Sequence, residues 1–147
     1  MGKKIGEKCE HLDVICLEKG QLDLPKNIQV YSLGKELGAS KIRMMYNFIK
    51  IAPRLARNSN GIFCHMNPIY TLAIAPFAKL YHKKILTWYV HKHVDLKLKL
   101  LEKVTDKIFT ASKESFRLPS NKVEVVGHGI DIDLFSPSKE KPLIFKF

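Results

Sequence analysis

Cysteine is scarce and unpaired in this sequence: Cys9, Cys16 and Cys64 are its three, and no two stand at C-x-x-C spacing. An odd number without that spacing argues against a disulfide framework or a zinc knuckle and suits a reducing compartment. Acidic residues are also few, 14 against 25 Lys and Arg, leaving a formal net charge of +11. Such an excess implies an anionic partner: a membrane surface, a nucleotide or phosphate-bearing substrate, or nucleic acid. No apolar run approaches the ~18 residues of a bilayer-spanning helix. The opening MGKKIGEKCE is basic but has no apolar stretch behind it, so it does not read as a signal peptide. Gly6 stands where a myristoylation motif requires Ser or Thr. A cytoplasmic protein is the expectation, with peripheral attachment to the inner face of a membrane compatible with the charge.

Several chemical signatures are missing as well. There is no G-x-G-x-x-G or Walker loop, and Ser112 lacks the surroundings of a nucleophile elbow. His91 and His93 fall on one side of an extended segment, but no third ligand accompanies them, so no metal site is expected. Tyr31, Tyr46, Tyr81, Trp88 and Tyr89 lie within periodic segments and read as packing residues rather than as a base-stacking platform. No internal repeat or low-complexity tract occurs.

What remains is an ordinary globular composition, 46% hydrophobic and 27% charged over 147 residues, enough for one domain with a real core. Six short apolar or alternating segments read as strands: LDVICL from Leu12, IQVYSL from Ile28, GIFCH from Gly61, KKILTWYV from Lys83, DKIFTA from Asp106 and KVEVV from Lys122. Helical segments stand between most of them: Lys41 to about Arg57 behind a Ser40 cap, Pro68 to about Tyr81, and Asp95 to Val104. Pro53 should kink or break the first, and Pro76 should interrupt the second. Ser112 is placed to cap a brief helix. Alternation at this spacing indicates βαβ units: an α/β fold, a Rossmann-like open parallel sheet with helices on both faces.

On the helix from Lys41, the residues Arg43, Lys50, Arg54 and Arg57 fall within a stripe about 60° wide at ~100° per residue. Ile42, Met45, Ile49, Ala52 and Ala56 make another face. A basic stripe of this kind is a solvated face, a contact for anionic lipid headgroups, or a contact for nucleic acid.

In an open parallel sheet, ligands sit beyond the carboxyl ends of the strands. Histidines or glycines occur at three such ends: His65, then His91 and His93, then Gly127-His128-Gly129, while Ser112 follows the fifth strand. The last of these, KVEVVGHGIDIDLFSP, resembles the end of the N-terminal domain of family 4 glycosyltransferases of the GT-B fold. There a V-x-V-[IV] strand leads into Gly-[IVL]-Asp and Phe-x-Pro, here Val123 to Val126, Gly129-Ile130-Asp131 and Phe135-Ser136-Pro137. FCHMNP, LTWYVHK and DKIFTASKES are similar, in order and spacing, to further strand ends of the same enzymes. The resemblance spans roughly Leu12 to Pro137.

The resemblance implies transfer of a sugar from a nucleotide-sugar donor to a lipid-linked or polysaccharide acceptor, with no cofactor beyond the nucleotide-sugar co-substrate. It makes His91 the catalytic-side contact across an interdomain cleft. It puts His65, Asn67 and Lys92 on the acceptor side, with Ser112 at its helix start, and has Gly127, His128, Gly129 and Asp131 border the cleft. Two family elements have no counterpart: the first, central strand with its glycine-rich loop, and the donor-binding domain. The expectation is an incomplete N-terminal domain over residues 1–135, then a linker and the first strand of a further domain over 136–147, inactive alone. Loss of a central strand leaves two unpaired edges. The competing expectation is a non-catalytic basic α/β module on anionic membrane or nucleic acid.

Overall fold

A computed structural model of the chain describes residues 5–21, 23–127 and 129. The architecture is α/β. Its strands are β1 (Leu12–Cys16), β2 (Ile28–Ser32), β3 (Gly61–His65), β4 (Lys84–Trp88), β5 (Lys107–Thr110) and β6 (Val123–Val125). Its helices are α1 (Lys41–Asn58), α2 (Pro68–Leu80) and α3 (Leu96–Val104), with 3-10 turns at Lys35–Leu37 and Lys113–Ser115. Every strand pair is parallel. The strands form two sheets, β1-β2 and β3-β4-β5-β6, with no ladder between β1 and β3. A Rossmann-like arrangement is therefore present, with its sheet divided.

Local chemistry sets the helix starts. Ser40 Oγ accepts the Arg43 N–H at 3.3 Å, Asn67 Oδ1 accepts that of Ile69 at 3.2 Å, and Asp95 Oδ1 accepts that of Leu98 at 2.8 Å. Caps of this kind are each worth about 1 kcal/mol. Pro68 follows its cap at the first helical position, where a missing N–H costs nothing. Pro53 and Pro76 break neither helix: both helices run through them. Pro76 is exposed and Pro53 half-buried, so water can reach the outer side of each helix, where a carbonyl four residues back loses its donor.

α1, α2 and α3 pack on one side of the strands; of the helices expected on both faces, the far side has the helical residues Ile5 and Gly6 among the described residues. Phe48, Ala52 and Ala56 of α1 and Ile74 and Ala78 of α2 form a core with Leu33 and Ile85, against which Ile15 of β1 and Ile62 and Cys64 of β3 also pack. Leu98 and Leu101 of α3 join Ile108, Tyr89 and Phe116 in a second cluster. Ile62 pairs with Ile85 and Thr87 with Ile108, so these residues share one face of the four-stranded sheet. Phe63, Leu86 and Phe109 occupy the opposite face. Of the apolar face read on α1, Ala52 and Ala56 are buried and Phe48 joins them, while Ile42 stays 84% exposed and Ile49 41%. On the far side of β1 and β2, Gly6 lies against Ile28 and Leu12. Asn27 Nδ2 holds that segment by donating to the carbonyls of Gly6 at 2.8 Å and Cys9 at 2.9 Å.

Candidate functional site

Parallel strands point one way, so their carboxyl ends share a rim. His65 closes β3 and is exposed. The next residue, Met66, has φ 61, a left-handed conformation that costs a side-chain-bearing residue on the order of 1 kcal/mol. Its N–H donates to the Trp88 carbonyl at 2.9 Å, tying this loop to the end of β4. The reversal delivers Asn67 to the start of α2. There its side chain caps Ile69, and its carbonyl accepts both the N–H of Thr71, at 3.3 Å, and the Thr71 hydroxyl, at 3.0 Å. Asn67 is therefore a helix cap first; what it can offer a ligand is Nδ2.

Beyond β4, Tyr89 is buried, and its N–H continues the ladder to the Phe109 carbonyl at 3.0 Å. The His91 ring stands edge-on to it, centroids 5.3 Å apart, and Phe116 packs on it at 5.9 Å. Burial, followed by the charge of Asp95, pushes the Tyr89 phenol up. His91, Lys92 and His93 themselves are exposed. Tyr89 is thus a buried pedestal that orients an exposed imidazole.

After β5, Ser112 makes no side-chain cap; its Oγ lies 3.1 Å from Ser115 Oγ. The Glu114 carboxyl is held below the usual carboxylate range by its own backbone N–H and then by the Ser112 hydroxyl. The charges of Lys113 and Lys92 add to this. The loops after β4 and β5 therefore meet electrostatically through Lys92 and Glu114. At the end of β6, the Val126 N–H donates to the Thr110 carbonyl at 2.9 Å and Gly127 takes φ 74, which glycine adopts without strain. Gly129 is exposed; His128 and Asp131 lie outside the described residues.

In strand order, the rim carries His65 and Asn67 after β3, His91 and Lys92 after β4, Ser112 and Glu114 after β5, and Gly127 after β6. Ser112 lies between the Ser115 hydroxyl and the Glu114 carboxylate, and the arrangement suits binding and polarising an anionic or hydroxyl-rich ligand. Among the described residues no group of His, Cys, Asp and Glu is arranged to hold a metal ion. Met66, Tyr89 and Glu114 escaped the reading of the sequence. A left-handed methionine has no sequence signal, and Tyr89 reads as strand packing.

The cations of α1 lie elsewhere. Arg43, Lys50, Arg54 and Arg57 are all exposed, and beside them Ile42, Tyr46 (59% exposed) and Ile49 form an apolar strip. The Arg43 guanidinium sits 5.5 Å from the centre of the Tyr46 ring. A cleft of about 200 Å³ opens between β2 and α1, lined by Tyr31, Lys50, Ile51, Arg54 and Leu55; none of the rim residues borders it. No described helix is long and apolar enough to cross a membrane. Comparison of the chain with protein-family models, with curated proteins and with solved structures finds no match.

Proposed function

We propose that this chain is the acceptor-side half of a glycosyltransferase that moves a sugar from a nucleotide-sugar donor to a lipid-linked or polysaccharide acceptor. The observation that carries the reading is the shared rim: His65, His91, Ser112 and Gly127 follow the ends of four adjacent parallel strands. On this reading His91, steadied by Tyr89, meets the reacting hydroxyl or the donor sugar, and Lys92 attracts phosphate. Asn67 Nδ2 and Ser112 hydrogen-bond acceptor hydroxyls, and the turn at Gly127 lets a ligand approach the backbone. Sugar transfer needs positive groups at the departing diphosphate. Lys92 and Lys113 are exposed cations at this rim, too few to hold a diphosphate firmly, so the chain should contribute acceptor binding and depend on other residues for the donor.

The test is an amide NMR titration of the whole chain with a short-chain prenyl-phosphate sugar and, separately, with UDP-glucose. The acceptor analogue should move the amides of His65, His91, Lys92, Ser112 and Gly127 together, and His91→Ala should weaken it several-fold, with UDP-glucose weak throughout. Shifts that avoid the rim, or tight saturable UDP-glucose binding, would remove the assignment.

A second reading is favoured by one specific observation, the Ile42-Tyr46-Ile49 strip flanked by four exposed cations. It makes α1 a docking face for anionic membrane, with ~1 kcal/mol from each cation near the surface. Its vesicle-binding arm uses the change of Arg43, Lys50, Arg54 and Arg57 to Glu, which should abolish sedimentation with phosphatidylglycerol vesicles and leave the rim titration intact. Binding to nucleic acid instead, with a steep loss on adding salt and indifference to sugars, would displace both readings.

A further inference from the structure

The two sheets behave as two parts of one. β1 and β3 are not bonded to each other, yet Ile15 of β1 and Ile62 and Cys64 of β3 pack into the same core. α1, which carries the chain from β2 to β3, lies on β1 and on α2, and α2 lies on β3 and β4. A right-handed crossover of that kind moves outward past β1, which puts the free edge of β1 toward β3.

The hydrogen-bond phase of each edge is fixed. The Leu12 N–H donates to the Asn27 carbonyl at 2.8 Å and the Leu33 N–H to the Cys16 carbonyl at 2.9 Å, so Leu12, Val14 and Cys16 turn their amides and carbonyls toward β2. Alternation along a parallel ladder aims those of Asp13 and Ile15 the other way. In β3 the Met66 N–H bonds β4, so Ile62 and Cys64 face β4 while Gly61, Phe63 and His65 present theirs to the opposite edge. Backbone donors and acceptors thus line both sides, and Phe63 stays 44% exposed beside them. A lone apolar ligand cannot satisfy two ladders; a polypeptide backbone can.

We propose that the space between β1 and β3 is a slot for one extended strand of about five residues from a separate polypeptide, lying parallel to both neighbours. One of its faces lies toward the core under α1 and α2 and the other beside the exposed Phe63, so it is an alternating run, apolar toward the helices and polar on the far side. The net charge of +11 favours acidic residues flanking that run. The proposal rests on backbone geometry and is independent of the sugar-transfer reading, since none of its readouts involves a sugar.

The probe is a fluorescein-labelled peptide, ESVTVTVSE, added to the whole chain at concentrations where the peptide is monomeric. In the chain alone the amides of Asp13, Ile15, Phe63 and His65 should exchange with deuterium at least tenfold faster than those of Val14 and Cys64. Peptide should slow these four by tenfold or more. Phe63→Pro removes an N–H that points into the slot and spares the β3–β4 ladder, so it should weaken peptide binding at least tenfold. Asp13→Pro makes the same test from β1 should that variant not fold. Absence of peptide binding, or binding indifferent to both proline variants, overturns the proposal. So does protection of the four amides in the chain alone, whether it grows with protein concentration, which identifies a second copy, or disappears on deleting residues 143–147.

Discussion

The two-stranded and four-stranded sheets are built from similar residues and reach different depths of burial. All five positions of β1, LDVIC, are half-buried and none is fully buried. In β4 and β5, Ile85, Thr87, Ile108 and Thr110 alternate with half-buried neighbours and are 3% exposed or less. Hydrophobic character is comparable; the number of flanking strands is not. β4 and β5 each have a strand on both sides, whereas β1 has one among the described residues. Burial is set by what surrounds a residue, and an apolar strand with one open edge collects only part of the stabilisation its composition offers.

The widest separation between the two regions should come from Leu101→Ala. Leu101 is 0% exposed in the second cluster, and its truncation should cost about 2–5 kcal/mol in urea unfolding. Val14→Ala on β1 should cost distinctly less; equal losses would mean that the small sheet is as well packed as the large one. A second contrast lies in polar ties. Asp106 Oδ2 accepts the Ile85 N–H at 2.7 Å and fixes the start of β4. Asp106→Ala should destabilise by about 1–3 kcal/mol, the range for a hydrogen bond to a charged group. Asn27→Ala, which frees the Gly6 and Cys9 carbonyls beside the small sheet, should cost about 1 kcal/mol.

The smallest effect is one of pH. Burial pushes up the phenols of Tyr70 and Tyr89, and that of Tyr31 as well, where the charge and hydrogen bond of Asp13 add and Arg54 opposes. Folded values above the unfolded one mean stability fully present below about pH 10 and lost as pH rises through the folded values. Absorbance titration at 295 nm should therefore show three late phenols. Tyr89→Phe should remove one of them, and Tyr31→Phe another. Ordinary titration of Tyr89 would contradict its burial.

Most of the fold was legible in the sequence because it is written locally. The GIFCH strand, the Ser40 cap and Pro68 at a helix start are short-range patterns, and each lies where expected. Pro53 and Pro76 do not end their helices, because whether a proline breaks a helix depends on how the orphaned carbonyl is satisfied, which is a tertiary fact. Of the apolar face read on α1, Ala52 and Ala56 are buried; packing against Leu33 and Ile85 adds Phe48 and leaves Ile42 and Ile49 outside, because helical periodicity admits more than one apolar face. Within the candidate site, strand ends located His65, His91 and Ser112. Sequence did not reveal that Asn67 already serves α2, or that Tyr89 lies beneath His91. Those roles arise from neighbours distant along the chain.

Asn67 joins two duties in one carboxamide: it anchors the opening turn of α2 and borders the strand-end ledge. A guest that donates to its oxygen shares that atom with the Ile69 amide and weakens the cap, so occupancy and fraying of that turn are thermodynamically linked. A guest content with the nitrogen leaves the helix moored. The amide of Ile69 is thereby a built-in reporter of which atom a bound molecule has taken.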